Sequence, residues 1–267
     1  MANPLYLFGA GTAWATQQTD SQGNTIANPP PILIAGMQDI SIDGSADIKE
    51  LFGQNSFALA VARGKQKLAV KIKNAQLHGR LWNALYFGQS LSTATYNAVY
   101  DSTGIAIPAT PFTVTVSTAA ADTTHVQIPD AAGIYGYNLG VRDSNGLPYA
   151  RVASAPTTGQ YSLTGGAYLF AAADVGKTVY IDYNYTATST VAQKLVVQNQ
   201  LMGQSPYFQL DIKIPSPLGG AVNLTFPNCV STKFALATKL DDFTYPEFDV
   251  SAFAPGQSSP FTISWSN

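Results

Sequence analysis

The sequence predicts a mainly β protein with one flanking helix and a small β-sandwich domain inserted between its two halves. Three observations carry that reading. The 267-residue chain is rich in strand and turn formers, with 22 Gly, 16 Pro, 14 Tyr and 13 Phe, a mixture that favours short strands and tight turns over helices. Apolar residues recur at every second position in run after run, and one segment alone shows a helical period. Charged residues thin out near residue 92, and the earlier pattern returns after residue 195.

Residues 1–31 carry little periodicity and end in Pro29-Pro30-Pro31, a stiff polyproline stretch. An extended arm from Ala2 to Pro31 is expected. Strand character begins at Ile32. Ile40 and Ile42 alternate with Asp39, Ser41 and Asp43, as in a half-buried strand, and Asp43-Gly44 reads as a turn. Phe57, Leu59 and Val61 alternate next. Arg63 to Gln66 reads as a second turn, after which Leu68, Val70 and Ile72 alternate with Lys67, Ala69, Lys71 and Lys73. A hairpin is predicted there. The period then lengthens, with Leu77, Leu81 and Leu85 at i, i+4 and i+8 beside Trp82 and Tyr86. With Asn74 as cap and Gly88 as stop, this gives a helix over 75–88.

Residues 95–189 form the expected insert, with 1–94 and 190–267 making the domain around it. Its strand candidates are Phe112 to Val116, Thr124 to Ile128, Tyr161 to Phe170 and Val179 to Tyr185. Turn signals at Ser144-Asn145-Gly146, Thr164-Gly165-Gly166 and Asp174-Val175-Gly176 punctuate the segment. Beyond it, Phe208, Leu210, Ile212 and Ile214 alternate with Gln209, Asp211 and Lys213. Pro215 to Gly220 turns the chain; Val222, Leu224 and Phe226 give the next strand, Phe234 and Leu236 a third, and Phe261 to Trp265 the last.

Charged residues make up only 11% of the chain, less than half of the roughly 25% of an average soluble domain. So neutral a surface suits a subunit whose faces are covered by neighbours, although secreted β-sandwich proteins share the bias. A net charge of −2 argues against tight nucleic-acid binding, which needs a basic surplus. Cys229, the single cysteine, reads as a small buried strand residue. No basic residue precedes Lys49, so no signal peptide is expected, and no apolar run approaches the ~18 residues of a membrane span. The expectation is a chain made and folded in the cytosol without a membrane anchor.

Sites of chemistry are sparse. His78 and His125 lie in different domains, with no ligand spacing around either. Asp241, Asp242, Glu247 and Asp249 offer the paired carboxylates of glycoside hydrolysis, but in a proline-containing loop that fixes no separation. Asp39, Asp43, Asp47 and Glu50 lack the ligand order of a calcium loop, and Gly9-Ala10-Gly11 lacks the remaining glycine of a dinucleotide motif. Tyr and Trp are available for sugar stacking, yet no aromatic set gathers on one strand face. No catalytic residue, metal or cofactor is expected, and the chain is not read as an enzyme. The polar strand faces are more informative: Lys67, Lys71 and Lys73, then Asp39, Ser41 and Asp43, then Asp211 and Lys213 bring opposite charges that could meet across strands. Such a face is either an ordinary solvated surface or the wall of a hydrated channel.

Three segments, MANPLYLFGAGTAWAT, DIKELFGQNSFALAVARGKQKLAVKIKNAQLHGRLWNALYFGQ and VSTKFALATKLDDFTYPEFDVSAFA, resemble the major tail tube proteins of bacteriophages and prophages. The stretch from Gly159 to Ser189, GQYSLTGGAYLFAAADVGKTVYIDYNYTATS, is similar to a β-strand module of phage tail and head proteins. The resemblance implies a β-sandwich or barrel subunit with a flanking helix, forming hexameric rings that stack into a hollow tube. Inner strands would line the lumen, making the polar residues named above lumen-facing. The loop from Gly44 to Ser56, with Asp47, Lys49, Glu50, Phe52 and Gln54, would grip the next ring together with the N-terminal arm. The insert would decorate the tube exterior. Implied partners are further copies of the chain and other tail proteins (tape measure, terminator, a sheath where one exists). DNA would cross the lumen without specific binding, placing the protein in the virion tail. Replacing Phe52 or Trp82 is expected to disrupt folding, whereas charge reversal at Lys71 is expected mainly to alter the lumen. The rival readings are a tail terminator or decoration protein, and a secreted sugar-binding or hydrolytic sandwich.

Overall fold

Alternating apolar residues draw most of the chain into sheets. The computed structural model describes residues 6–54, 56–76, 78–188, 193–256 and 259–266, in a mainly β fold with one short flanking helix. The chain divides into two compact units: residues 1–90 with 195–267, here the outer unit, and residues 91–194, the insert.

The outer unit is built on one eight-stranded sheet. Its order is Ile32–Ile34, Thr12–Gln17, Phe208–Pro215, Ala221–Ala235, Glu247–Ala252, Ala58–Asn74 and Met37–Phe52, and Thr262–Ser266 pairs with the start of Ala221–Ala235. One face is dry. Ala13, Ala15, Val70, Phe208, Leu210, Phe226 and Phe248 are fully buried there, joined by Leu81 and Leu85 from the helix. Each large side chain so buried contributes about 1.5–3 kcal/mol before entropy is counted.

Several expectations are corrected. The N-terminal segment is not a free arm, because Thr12–Gln17 lies between two strands, with Ala13 opposite Ile212 and Ile34. Alanines opposite bulky partners fill the core without giving an apolar run. The region from Gly44 is not a loop either. Met37–Phe52 and Ala58–Asn74 form one long hairpin, with Asp43 opposite Ala69 and Gly44 opposite Leu68 in mid-ladder. The Arg63-to-Gln66 stretch does not turn the chain but is absorbed as a bulge, where the register steps from Ala46↔Gln66 to Ile48↔Arg63. Val222-to-Phe226 and Phe234 belong to a single strand, Ala221–Ala235.

The helix is shorter than its periodicity suggests. Gly79–Trp82 makes one α-turn and continues as a π-turn over Asn83–Phe87. Leu77 lies outside the described residues, as do Ala2 to Leu5. His78, not Asn74, is the N-cap, accepting the Leu81 amide at its Nδ1 at 3.3 Å, while Asn74 Oδ1 accepts the Gln76 amide. Gly88 does end the segment, at φ +62°, and a Cβ there would stand 2.7 Å from the Ser21 amide nitrogen. Asn83 holds the exit, donating to the Gln89 carbonyl and accepting from its amide.

The insert carries its own core. Thr178–Thr188 is central in one sheet, between Ile134–Asp143 and Ala94–Val99; Gln160–Thr164, Ala167–Phe170 and Thr113–Ser117 belong to a second. Val114, Tyr161, Tyr168 and Phe170 from the second sheet meet Val179, Ile181 and Tyr183 from the first. Tyr168 donates to Asn138 Oδ1 and pairs with the Tyr135 hydroxyl, both at 3.1 Å. The Tyr161 hydroxyl accepts from Asn138 Nδ2 at 2.8 Å and that of Tyr183 donates to the Gln127 carbonyl at 3.2 Å, so these buried phenols are satisfied as well. Gly165 and Gly166, both at positive φ, turn the tight hairpin between Thr164 and Ala167.

Candidate functional site

The solvent face of the outer unit's sheet is assembled from rungs of opposite charge. Asp39 stands opposite Lys73, which stands opposite Glu247; Ser41, Lys71 and Asp249 form the next rung. Lys73 Nζ is 3.6 Å from Glu247 Oε1, with both side chains about half exposed. Lys233 continues the second rung across from Asp249. Asp43 and Lys67 lie further along the same hairpin, Lys67 opposite Ser45. Lys67, Lys71 and Lys73 are exposed, as alternation with the buried Val70 and Ile72 requires.

Not all the sequence-derived residues come together. Asp211 and Lys213 lie opposite Thr225 and Asn223, whereas the lysine rungs meet the same long strand near Lys233. Asp211 is held locally, accepting from Gln209 Nε2 and Thr225 Oγ1 at 2.8 Å each. Glu247, Asp249 and Lys233 are the members that sequence reasoning did not assign to this face. Glu247 and Asp249 belong to a strand and not to the proline-containing loop; alternation with Phe248 and Val250 was the signal that could have placed them. Glu247 is paired with Lys73, and Asp249 stands in register between Lys71 and Lys233. Asp242, in the loop, lies 3.6 Å from Lys239.

The stacking candidates Asp47, Lys49, Glu50, Phe52 and Gln54 are all exposed. The first four ride on the outer half of the long hairpin, and Gln54 lies at its turn. That half is a two-stranded ribbon bearing Ile48, Leu51, Phe57, Leu59 and Val61 in water as well, Phe57 at 86% exposure. Phe52 is 56% exposed, so the expectation that its loss breaks the fold is corrected for the single subunit. Trp82, by contrast, packs edge-on against Phe234 at 4.5 Å. At the ribbon's base lies an open groove of about 820 Å³, lined by Ala46, Leu68, Phe253 and Phe261 with Arg63 and Lys67 at its polar side.

The remaining chemical candidates have structural employment. Among the described residues no group of three or more His, Cys, Asp or Glu could hold a metal. The Asp122 carboxylate accepts the Thr124 and His125 amides at 2.6 and 2.7 Å and faces the His125 ring at 3.0 Å. These bonds, the Thr124 amide foremost, push its pKa down to about 2. Asp39, Asp43, Asp47 and Glu50 run along one extended strand, which cannot wrap a calcium ion. At Gly11 a Cβ would collide with the Lys213 carbonyl, so this glycine serves close backbone approach. No helix among the described residues is long and apolar enough to cross a membrane.

Cys229 is fully buried, and burial first, with the charge of Asp211 second, pushes its thiol up to about 12. The thiolate is therefore scarce near neutrality. Ellman's reagent at pH 8 is expected to leave the native protein unlabelled and to titrate one thiol per chain in denaturant; rapid native labelling would contradict this burial.

No protein-family model matches the chain, and no curated protein matches it in sequence.

Proposed function

We propose that this chain is a structural subunit that assembles with its own copies into stacked rings forming the hollow tube of a phage tail. The observation that carries the reading is the long hairpin. Its outer half holds six large apolar side chains in solvent, Ile48, Leu51, Phe52, Phe57, Leu59 and Val61, where an isolated two-stranded ribbon has little stability of its own. A neighbouring copy is the natural cover. The hairpin's Met37–Phe52 strand, 16 residues long, also ends the sheet order, and ring closure is one way to pair such an edge.

In this reading the outer unit is a tube-type β-sandwich or barrel, with ring number six taken from the family resemblance, and the sandwich-like insert lies on the exterior. The mixed-charge rungs of Asp39, Lys73, Glu247, Lys71 and Asp249 line the lumen. Alternating signs present no continuous positive track, so DNA slides past without a counterion-release gain. The groups need no cofactor and perform no reaction.

Negative-stain electron microscopy of the purified full chain at high concentration tests the proposal. Hollow tubes or stacked rings of uniform width are expected. A monodisperse monomer at every concentration would overturn it.

A further inference from the structure

Two features at opposite ends of one strand of the outer unit are chemically complementary. The first is the loop over 236–246, which joins Ala221–Ala235 to Glu247–Ala252. Leu240 and Phe243 stand in it at 98% and 83% exposure, so they pack on almost nothing in their own chain. Between them in sequence lie Asp241 and Asp242. Asp242 is 3.6 Å from Lys239, whereas Asp241 forms no ion pair among the described residues.

The second feature is the groove of about 820 Å³ at the base of the hairpin ribbon. It opens where the sheet parts. Ala58–Asn74 pairs with Glu247–Ala252 as far as Leu68↔Ala252. Beyond that rung Thr262–Ser266 takes the place beside Ala221–Ala235, but no pairing joins it to Ala58–Asn74 among the described residues. Leu68, Phe253 and Phe261 are the large apolar groups of the lining. Both rings are backed by others, Phe253 by Tyr207 at 5.0 Å and Phe261 by Phe226 at 6.0 Å. The charged groups of the lining are Arg63 and Lys67, exposed and without an ion pair among the described residues.

The loop brings two apolar side chains and one carboxylate left over; the groove offers an apolar lining and two cations left over. Its volume falls in the ~300–1,000 Å³ range of pockets that enclose an apolar body and meet its polar groups at a few fixed points. The loop adjoins Glu247 and the groove adjoins Ala252, the two ends of a six-residue strand, about 17 Å apart. A contact between loop and groove therefore joins separate copies head to tail, and a heterologous contact of this kind repeats into rings or filaments.

We infer that loop 240–243 of one copy docks in the groove of the next, with Leu240 and Phe243 against its apolar lining and Asp241 facing Arg63 and Lys67. The inference deepens the tube reading and rests on its premise that copies of the chain meet.

Photocross-linking of the full chain with p-benzoylphenylalanine in place of Phe243 tests it, since the ketone reacts with C–H groups it touches. Mixing isotope-labelled with unlabelled chains separates links between copies from links within one. Links to peptides containing Leu68, Phe253 or Phe261 of a second copy are expected. Arg63→Glu combined with Lys67→Glu should lower their yield about tenfold, and adding Asp241→Lys, which mirrors the original charges, should restore it. Circular dichroism checks that the variants are folded. Links confined to other surfaces, no links between copies, or a yield unmoved by the Arg63 and Lys67 reversals would overturn the inference. If tubes are seen by electron microscopy in any of those cases, the tube reading outlives it; links into the groove without tubes would remove the tube reading and keep the head-to-tail contact.

Discussion

Phe57→Asp combined with Leu59→Asp is expected to abolish tube formation while leaving the subunit folded. Both residues sit on the outer hairpin, Phe57 at 86% exposure and Leu59 at 67%, so neither supports the subunit's core. Surface changes of this kind cost within about 0.5 kcal/mol, a melting shift of roughly 2 °C or less for a unit of this size. In an assembly the same positions would be dry. Two carboxylates without partners would then be desolvated at several kcal/mol each, enough to outweigh the stacking contribution of one hairpin in every ring. Sedimentation velocity and electron microscopy read the outcome directly. Wild-type tubes from the double variant would show that the ribbon stays in solvent, and a variant that melts early would make the hairpin a folding element.

The same ribbon shows where sequence reasoning stopped. Strict alternation in Phe208-to-Ile214 and Leu68-to-Ile72 was enough to place those strands and the wet side of each, because a period of two assigns faces without knowing the partner. Turn chemistry was misleading in long strands. Gly44 and Gly64 read as breaks, but the ladder runs through the first and bulges at the second. Thr12–Gln17 was invisible because its buried residues are Ala13 and Ala15, too small to register as an apolar pattern. The partners of Lys71 and Lys73 could not be read either. Asp249 and Glu247 come from a distant stretch of chain, and their meeting is a fact of strand order.

Phe248→Ala is expected to destabilise the outer unit by about 3–5 kcal/mol, lowering its melting temperature by roughly 6–20 °C. Phe248 is fully buried, opposite Ile72 in the ladder and 6.2 Å from the Phe234 ring. Phe234 in turn carries the helix segment, with Trp82, Tyr86 and Phe87 at 4.5, 5.9 and 6.0 Å. Truncating Phe248 opens a void beneath that hub. The strands on either side are held in register by backbone ladders, so the cavity cannot close by collapse and the lost contacts are not recovered. Thermal unfolding followed by tryptophan fluorescence reads the change at Trp82, next to the affected cluster. Phe57→Ala removes the same atoms from a ring in water and serves as the matched control, with a shift near zero. If both variants melt alike, the dry face of this sheet is not what holds the unit together; if Phe248→Ala alone falls, the buried phenylalanines maintain the fold and the exposed ones are left free for contacts between copies.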